Sequence, residues 1–260
     1  MKLDTQLVHA GEHYIDGAVA TPIFQSSTYR LEGEAAYDDI RYLRLNNSPN
    51  HVALHEKLAA IDGAESGLVT GSGMAAITTT LLTIASPGDH VLVQKGLYGG
   101  TLSFIAAQFE RFGISWTLVD ATAPDTWADA ARDETVAFYL ETLANPTLEV
   151  ANLLEAASFC RERSIISIVD NTFASPVNFR PVEHGIDLCV QSATKYLNGH
   201  SDIVAGAITG SLELIDRIRH ELNHWGGMLD PHACFLLQRG LKTLALRVRQ
   251  QNQSALALAR

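Results

Sequence analysis

Lys195 is the residue of this chain best placed for covalent chemistry. It follows a short apolar run in LCVQSATKYLNGHSD (188–202), where a strand-like pattern ends on serine, threonine and lysine. Such a lysine has two readings: an ordinary surface charge, or an amine held in a site as a nucleophile. Four other stretches bear on the choice. In TGSGMAAI (70–77), Gly71, Ser72 and Gly73 precede a helical pattern that starts near Met74. A glycine-rich turn feeding a helix presents backbone N–H groups and the positive dipole end, which suits phosphate. It matches neither GxGxxG nor GxxxxGK[ST], so alone it is a weak signal. Asp170, in IVDNTFASP (168–176), is either a turn or capping aspartate or a buried carboxylate facing a cation. Tyr98, in LYGGT (97–101), is either a packing aromatic or a platform for a flat ligand. Asn145, in NPT (145–147), is either a plain turn residue or an amide aimed at a ligand oxygen.

Taken together these residues suit one cofactor. A phosphate cradle, an aspartate, an aromatic platform and a strand-end lysine are what pyridoxal 5'-phosphate needs. The lysine forms a Schiff base with its aldehyde, and the aspartate keeps its pyridine nitrogen protonated so that the ring accepts electrons. Ser192 and Thr194 flank the lysine with hydroxyls that can add phosphate contacts.

The elements that must position these residues alternate. Apolar or β-branched runs at 90–94, 114–119, 136–142, 165–170, 188–194 and 203–209 predict strands, and helical patterns lie at 74–85, 152–163 and 212–222. A further helix is predicted from Asn50, capped by that residue, with Leu54, Leu58 and Ile61 on one face and Gly63 at its end. Continuous apolar strands alternating with helices predict an α/β fold with a mostly parallel sheet covered on both faces. Ligands of such sheets sit at the carboxyl ends of the strands, the edge expected to carry Asp170 and Lys195. Residues 1–50 are rich in turn formers and are predicted to be an extended arm; 231–260 is predicted to be one long helix.

Composition narrows the partners. The 260 residues carry a net charge of −10 and no Lys/Arg run, which argues against nucleic acid. No apolar run approaches the roughly 18 residues of a membrane helix, and the N-terminus does not resemble a signal peptide. Cys160, Cys189 and Cys234 are widely spaced and odd in number. They read as reduced core thiols of a cytoplasmic protein, and metal ligation is not expected, on the reading that neither CxxC nor HxxxH spacing supports it.

The ordered stretches DTQLVHAG, ATPIFQSSTY, YLRLNNSPN, SGMAAI, PGDHVL, YGGT, ETLANPTLEV, VDNTFASP, SATKYLNGHSDIVAGA and LQRGLKTLALR span nearly the whole chain. In them the sequence closely resembles the Cys/Met-metabolism family of pyridoxal-phosphate enzymes, the transsulfuration group. The resemblance implies the aspartate-aminotransferase-like (fold type I) transferase fold. It implies Lys195 as the cofactor-bearing lysine and Asp170 as the partner of the pyridine nitrogen. Gly73, Met74, Ser192 and Thr194 would hold the phosphate, Tyr98 would stack on the ring and assist proton transfer, and Asn145 would reach its 3-oxygen. Tyr42 and Arg44, in RYLR, match a Tyr-x-Arg that completes the phosphate site of a neighbouring subunit, which implies a homodimer or homotetramer acting on a small amino-acid substrate.

Two departures stand out. Methionine γ-lyases carry a cysteine where this chain has Gly100, which argues against that activity. The family also continues into a C-terminal domain bearing the arginine for the substrate α-carboxylate. The expected organisation is therefore an arm (1–50), a cofactor domain (51–245) and the start of that further domain (246–260). The last helix would then expose Leu236, Leu244 and Leu256, and aggregation in size-exclusion chromatography is the expectation.

Overall fold

The computed structural model describes residues 1–33 and 36–260. Seven strands form one sheet: β1 (Ser66–Thr70), β2 (His90–Gln94), β3 (Ser115–Val119), β4 (Thr135–Glu141), β5 (Ile166–Asp170), β6 (Leu188–Gln191) and β7 (Gly206–Gly210). Their order is β1-β7-β6-β5-β4-β2-β3. From β3 to β6 every neighbour is parallel; β7 alone runs against its neighbours, β6 and β1. The helices are α1 (Leu3–His9), α2 (Pro49–Asp62), α3 (Gly73–Ile84), α4 (Gly99–Gln108), α5 (Trp127–Ala130), α6 (Leu153–Arg163), α7 (Ser175–Asn178), α8 (Leu212–Trp225), α9 (Pro231–Leu241) and α10 (Leu244–Ala259).

Both faces of the sheet are covered, which is why its strands are apolar without alternation. Val91, Val93, Tyr139, Ile168 and Ile208 pack with residues of α3, α4 and α8. Leu92, Phe138, Leu140 and Val169 pack the other way, with α6 and Trp127. Val69 and Ala207 continue that second face towards α2 and α9. Trp127 is fully buried, meets Phe138 edge-on at 5.2 Å and donates its indole N–H to the Asp120 carbonyl at 2.7 Å. Truncating it to alanine should cost about 3–5 kcal/mol. That packing holds β4, whose last residue, Glu141, belongs to the site described below.

Several local expectations change. Residues 66–70 form a strand that periodicity did not reveal, because the run opens Ser-Gly and holds only two large apolar residues, Leu68 and Val69. The cap of α2 is Ser48, whose Oγ accepts from the His51 amide, with Pro49 next in line. Asn50 instead ties down the N-terminal segment, accepting from Phe24 N and donating to Pro22 O. The first fifty residues are not wholly extended: α1 packs on α2 through Leu7, and the buried Lys57 Nζ caps its end by donating to the carbonyls of Leu7 and Val8. The C-terminal helix is broken at 242–243 into α9 and α10. Leu244 is fully buried and Leu236 half-buried, so of the three leucines expected at the surface only Leu256 is exposed.

Candidate functional site

The carboxyl ends of β1, β2, β4, β5 and β6 open onto one cavity of about 370 Å³. Lys195, Asp170, Tyr98, Gly73, Met74, Ser192, Thr194 and Asn145 all line it, together with Ser72, Glu141, Thr172 and Phe173. Each is delivered by a strand end or by the turn after one, because the parallel strands bring all these ends to a single edge.

The floor is the start of α3. Ser72 caps this helix, its Oγ accepting from Ala75 N at 3.0 Å. The amides of Gly73 and Met74 have no partner among the described residues, so the helix start offers free donors and a positive dipole end. Glycine is required here by close approach: a Cβ at position 73 would stand 2.7 Å from Ser192 Cβ. The Ser192 Oγ lies beside this cradle. Thr194 is differently engaged. Its hydroxyl accepts from Ala205 N at 3.0 Å and donates to Ala205 O at 3.2 Å, so its proton is committed to the backbone.

Asp170 ends β5 and is 8% exposed. One oxygen accepts from the Thr172 amide and hydroxyl; the other lies 3.5 Å from the Tyr139 hydroxyl, which donates. Burial raises its pKa, and the Thr172 bonds pull it back only in part. A carboxylate taken out of water in this way gains from a cation beside it. Burial, then the charge of Asp170, holds the Tyr139 phenol well above the usual range, so Tyr139 stays a neutral donor.

Lys195 does not close the strand as expected. β6 stops at Gln191, and Lys195 stands on the turn that follows, its amide donating to Ser192 O at 3.1 Å. Its side chain is exposed, borders the cavity, and has no hydrogen-bond or ion-pair partner among the described residues. Tyr98 sits at the start of α4, 47% exposed. A Cβ at Gly100 would come within 2.5 Å of its ring, so the ring can lie where it does only over a glycine.

Glu141 has no counterpart among the residues read from the sequence. It is buried, and its Oε1 accepts the Tyr98 amide at 2.7 Å. The Asn145 amide bonds it as well. Burial raises its pKa to about 7, against the lowering effect of those two amides. An acid that ends an apolar strand, as in VAFYLE, is the signal that could have found it. Tyr42 and Arg44 lie outside the cavity. Arg44 donates through Nη1 to the Asn223 carbonyl at 2.5 Å and through Nη2 to the Tyr37 hydroxyl, and its guanidinium lies over the Tyr42 ring at 5.4 Å.

This donor set fits pyridoxal phosphate: free helix-start amides for an anion, a buried carboxylate lacking a cation, an aromatic ring and an amine at one mouth. Fold and site together define a pyridoxal-phosphate enzyme of the aspartate-aminotransferase-like class. The family described as Cys/Met metabolism PLP-dependent enzyme matches residues 4–260, and the chain belongs to it. It is 39% identical over 258 residues to a Herpetosiphon aurantiacus protein described as "Probable cystathionine gamma-synthase", covering 98% of this chain and 80% of that protein. A solved cystathionine gamma-lyase from Lactobacillus plantarum, complexed with L-serine, superposes with a TM-score of 0.89 at 36% identity, over 95% of this chain and 65% of that one. A Campylobacter jejuni structure provisionally described as an O-acetylhomoserine (thiol)-lyase, containing N'-pyridoxyl-lysine-5'-monophosphate, superposes with a TM-score of 0.92 at 26% identity, over 100% of this chain and 74% of that one. The cofactor of the family is pyridoxal 5'-phosphate. Among the described residues, no helix is long and apolar enough to cross a membrane.

Proposed function

We propose that the chain performs transsulfuration chemistry: β- or γ-elimination, or γ-replacement, on cystathionine or an O-acylated homoserine, in the cystathionine γ-synthase and γ-lyase branch. The meeting of Lys195, Asp170, Tyr98 and the Gly73–Met74 amides in one cavity carries this reading. Pyridoxal 5'-phosphate, when bound, supplies an electron-accepting ring that makes the Cα–H bond of an amino acid acidic. Asp170 holds a proton on the pyridine nitrogen, the role a buried carboxylate without a cation can fill. The Gly73 and Met74 amides and the Ser192 hydroxyl bind phosphate, with Thr194 joining if its hydroxyl turns from Ala205. The Lys195 amine would hold the cofactor and, once freed, would accept the Cα proton on Nζ. In γ-chemistry the same Nζ would first pass the Cα proton on to the bound cofactor, and so be free to accept a second one from Cβ. Tyr98 covers the ring and assists that transfer, and Asn145 orients the 3-oxygen.

In this reading residues 51–245 carry the cofactor, and 1–50 reach a neighbouring subunit, where Tyr42 and Arg44 complete the phosphate site. The working unit is then a homodimer or homotetramer. Three free, buried thiols suit the reducing cytoplasm. Gly100, which seats the Tyr98 ring, supports this branch over a dedicated methionine γ-lyase. The likeness to the Campylobacter protein favours a second reading, O-acetylhomoserine sulfhydrylase, which sulfide against cysteine as thiol acceptor would separate. A chain that binds the cofactor without turnover is the non-catalytic alternative.

The test is the near-visible spectrum with pyridoxal phosphate, for the wild type and Lys195→Ala, followed by borohydride reduction and peptide mapping. A yellow band, reducible, with the label on residue 195, is expected. A label on another lysine, or no cofactor bound, would overturn the assignment.

A further inference from the structure

The expectation that no HxxxH spacing supports a metal is corrected by His220 and His224, which are such a pair and form one donor cluster with Glu221. The last turns of α8 read His220-Glu221-Leu222-Asn223-His224. Residues four apart on a helix share a face, which pairs His220 with His224, and Glu221, three before His224, neighbours that histidine. Ser211 caps the start of α8, and Gly226, at φ +75°, ends it, so the two histidines fall within its final turns. Ile215, Ile218 and Leu222 pin the opposite face to the core. The ligand side is thus presented by a rigid element, with His220 and His224 exposed and Glu221 half-buried.

We propose that His220, Glu221 and His224 form a binding site for a divalent transition-metal ion of the zinc, cobalt or nickel class. Their donor atoms all lie within 4.8 Å of one another, and the two rings stand edge to face with centroids 4.5 Å apart. Tetrahedral zinc with bonds of about 2.0–2.1 Å needs donors roughly 3.4 Å apart. Rotamer changes of the two exposed histidines and the half-buried Glu221 close that gap. Two imidazoles and a carboxylate form a set that borderline metals prefer over magnesium or calcium. Two further features favour a cation here: the negative end of the α8 dipole and a chain of net charge −10. In the HExxH motif of metallopeptidases the glutamate acts as a base and a third ligand comes from elsewhere. Here the glutamate oxygen lies inside the donor cluster, so Glu221 is a ligand and no peptidase chemistry follows.

The site adjoins the cofactor edge. Asn223, between the two histidines, accepts Arg44 Nη1 on its carbonyl, and Gly227, just past the helix, accepts the Gly71 amide at 2.7 Å. Gly71 leads directly into the Ser72–Gly73 turn. A bound ion would therefore stiffen the helix end that tethers both.

The test uses the untagged full chain, stripped with chelator and titrated with zinc by calorimetry and with cobalt by visible absorption. One ion per chain at micromolar affinity is expected. His224→Ala and His220→Ala should each weaken binding at least tenfold, and Glu221→Gln several-fold, with circular dichroism unchanged because the histidines are exposed. Failure of the wild type to bind zinc below millimolar concentration would overturn the proposal. So would unchanged affinity in the folded double histidine variant.

Discussion

Asp170 and Asp62 are both buried carboxylates whose pKa is raised by burial, and only one of them faces a cavity. Asp62, the last residue of α2, is 0% exposed. Its Oδ2 accepts Thr209 Oγ1 at 2.8 Å and Gln191 Nε2 at 3.1 Å, while Oδ1 has no hydrogen-bond partner. It joins α2 to β6 and β7 across a sealed seam. Asp170 has its bonds from Thr172 on one oxygen and leaves the cavity side open to a ligand. Burial alone therefore does not mark a functional acid. What singles out Asp170 for the proposed role is burial at the sheet edge where an incoming cation can sit, with a lysine and free helix-start amides on the same walls.

Variants at five positions test this contrast and the walls around it, beginning with the largest expected effect. Lys195→Ala should lower turnover by about 10³-fold or more, the scale of losing both nucleophile and proton acceptor, and leave the cofactor removable by dialysis. Asp170→Asn should lower kcat by about 10²-fold or more, because an amide cannot hold the ring proton. Asp62→Asn should leave kcat within about twofold, and equal losses in the two variants would erase the contrast.

Stability should separate the aspartates in the opposite sense. The folded pKa of Asp62 is about 6 against 3.8 in an open chain. Raised acid pKa values favour the folded state at low pH, so this contribution is fully present below 3.8 and is lost as pH rises through about 6. Asp62→Asn should flatten that window and gain about 3 kcal/mol at pH 8, read from urea denaturation at several pH values. An unchanged pH profile would mean that Asp62 ionises without cost.

The third acid, Glu141, has a pKa of about 7 and should tune the site near neutrality. As pH falls through about 7 it gains a proton and grips the Tyr98 and Asn145 amides less strongly. The wild type should then lose activity, and Glu141→Gln should lose about tenfold in kcat/KM and show a flatter profile. A milder effect on the cavity is expected from Gly100→Ala. Its Cβ, 2.5 Å from the Tyr98 ring, should shift the ring at a cost of about 1 kcal/mol, seen as a several-fold change in KM with a displaced cofactor band. Unaltered kinetics would show that the ring moves freely.

Much of this was legible in the residues. The apolar runs at 90–94, 136–142 and 165–170 lie on β2, β4 and β5 because fully covered strands need no polar alternation. The Ser72–Gly73 turn before α3 was visible because glycine and a capping serine are local signals. Glu141 was not, since an acid at the end of an apolar run looks like a solvated strand terminus until the Tyr98 loop is seen folded onto it. The break between α9 and α10 was hidden for a similar reason. No Gly or Pro marks 242–243, and Arg247 supplies the tertiary anchor there, donating to the carbonyls of Tyr196, Leu197 and Gly240.

The sequence by itself determined the alternating strands and helices, the glycine turn before a helix and the family, and it singled out one lysine and one aspartate for the proposed chemistry. These depend on local patterning and on residue types with few substitutes. Only the tertiary structure decided that Gly73, Tyr98, Glu141, Asp170 and Lys195, drawn from separate strand ends, share one cavity. It alone sealed Asp62 away from water and committed the Thr194 hydroxyl to Ala205. Parallel pairing sets which strand ends become neighbours, and that is a property of long-range register and packing that no single stretch of chain contains.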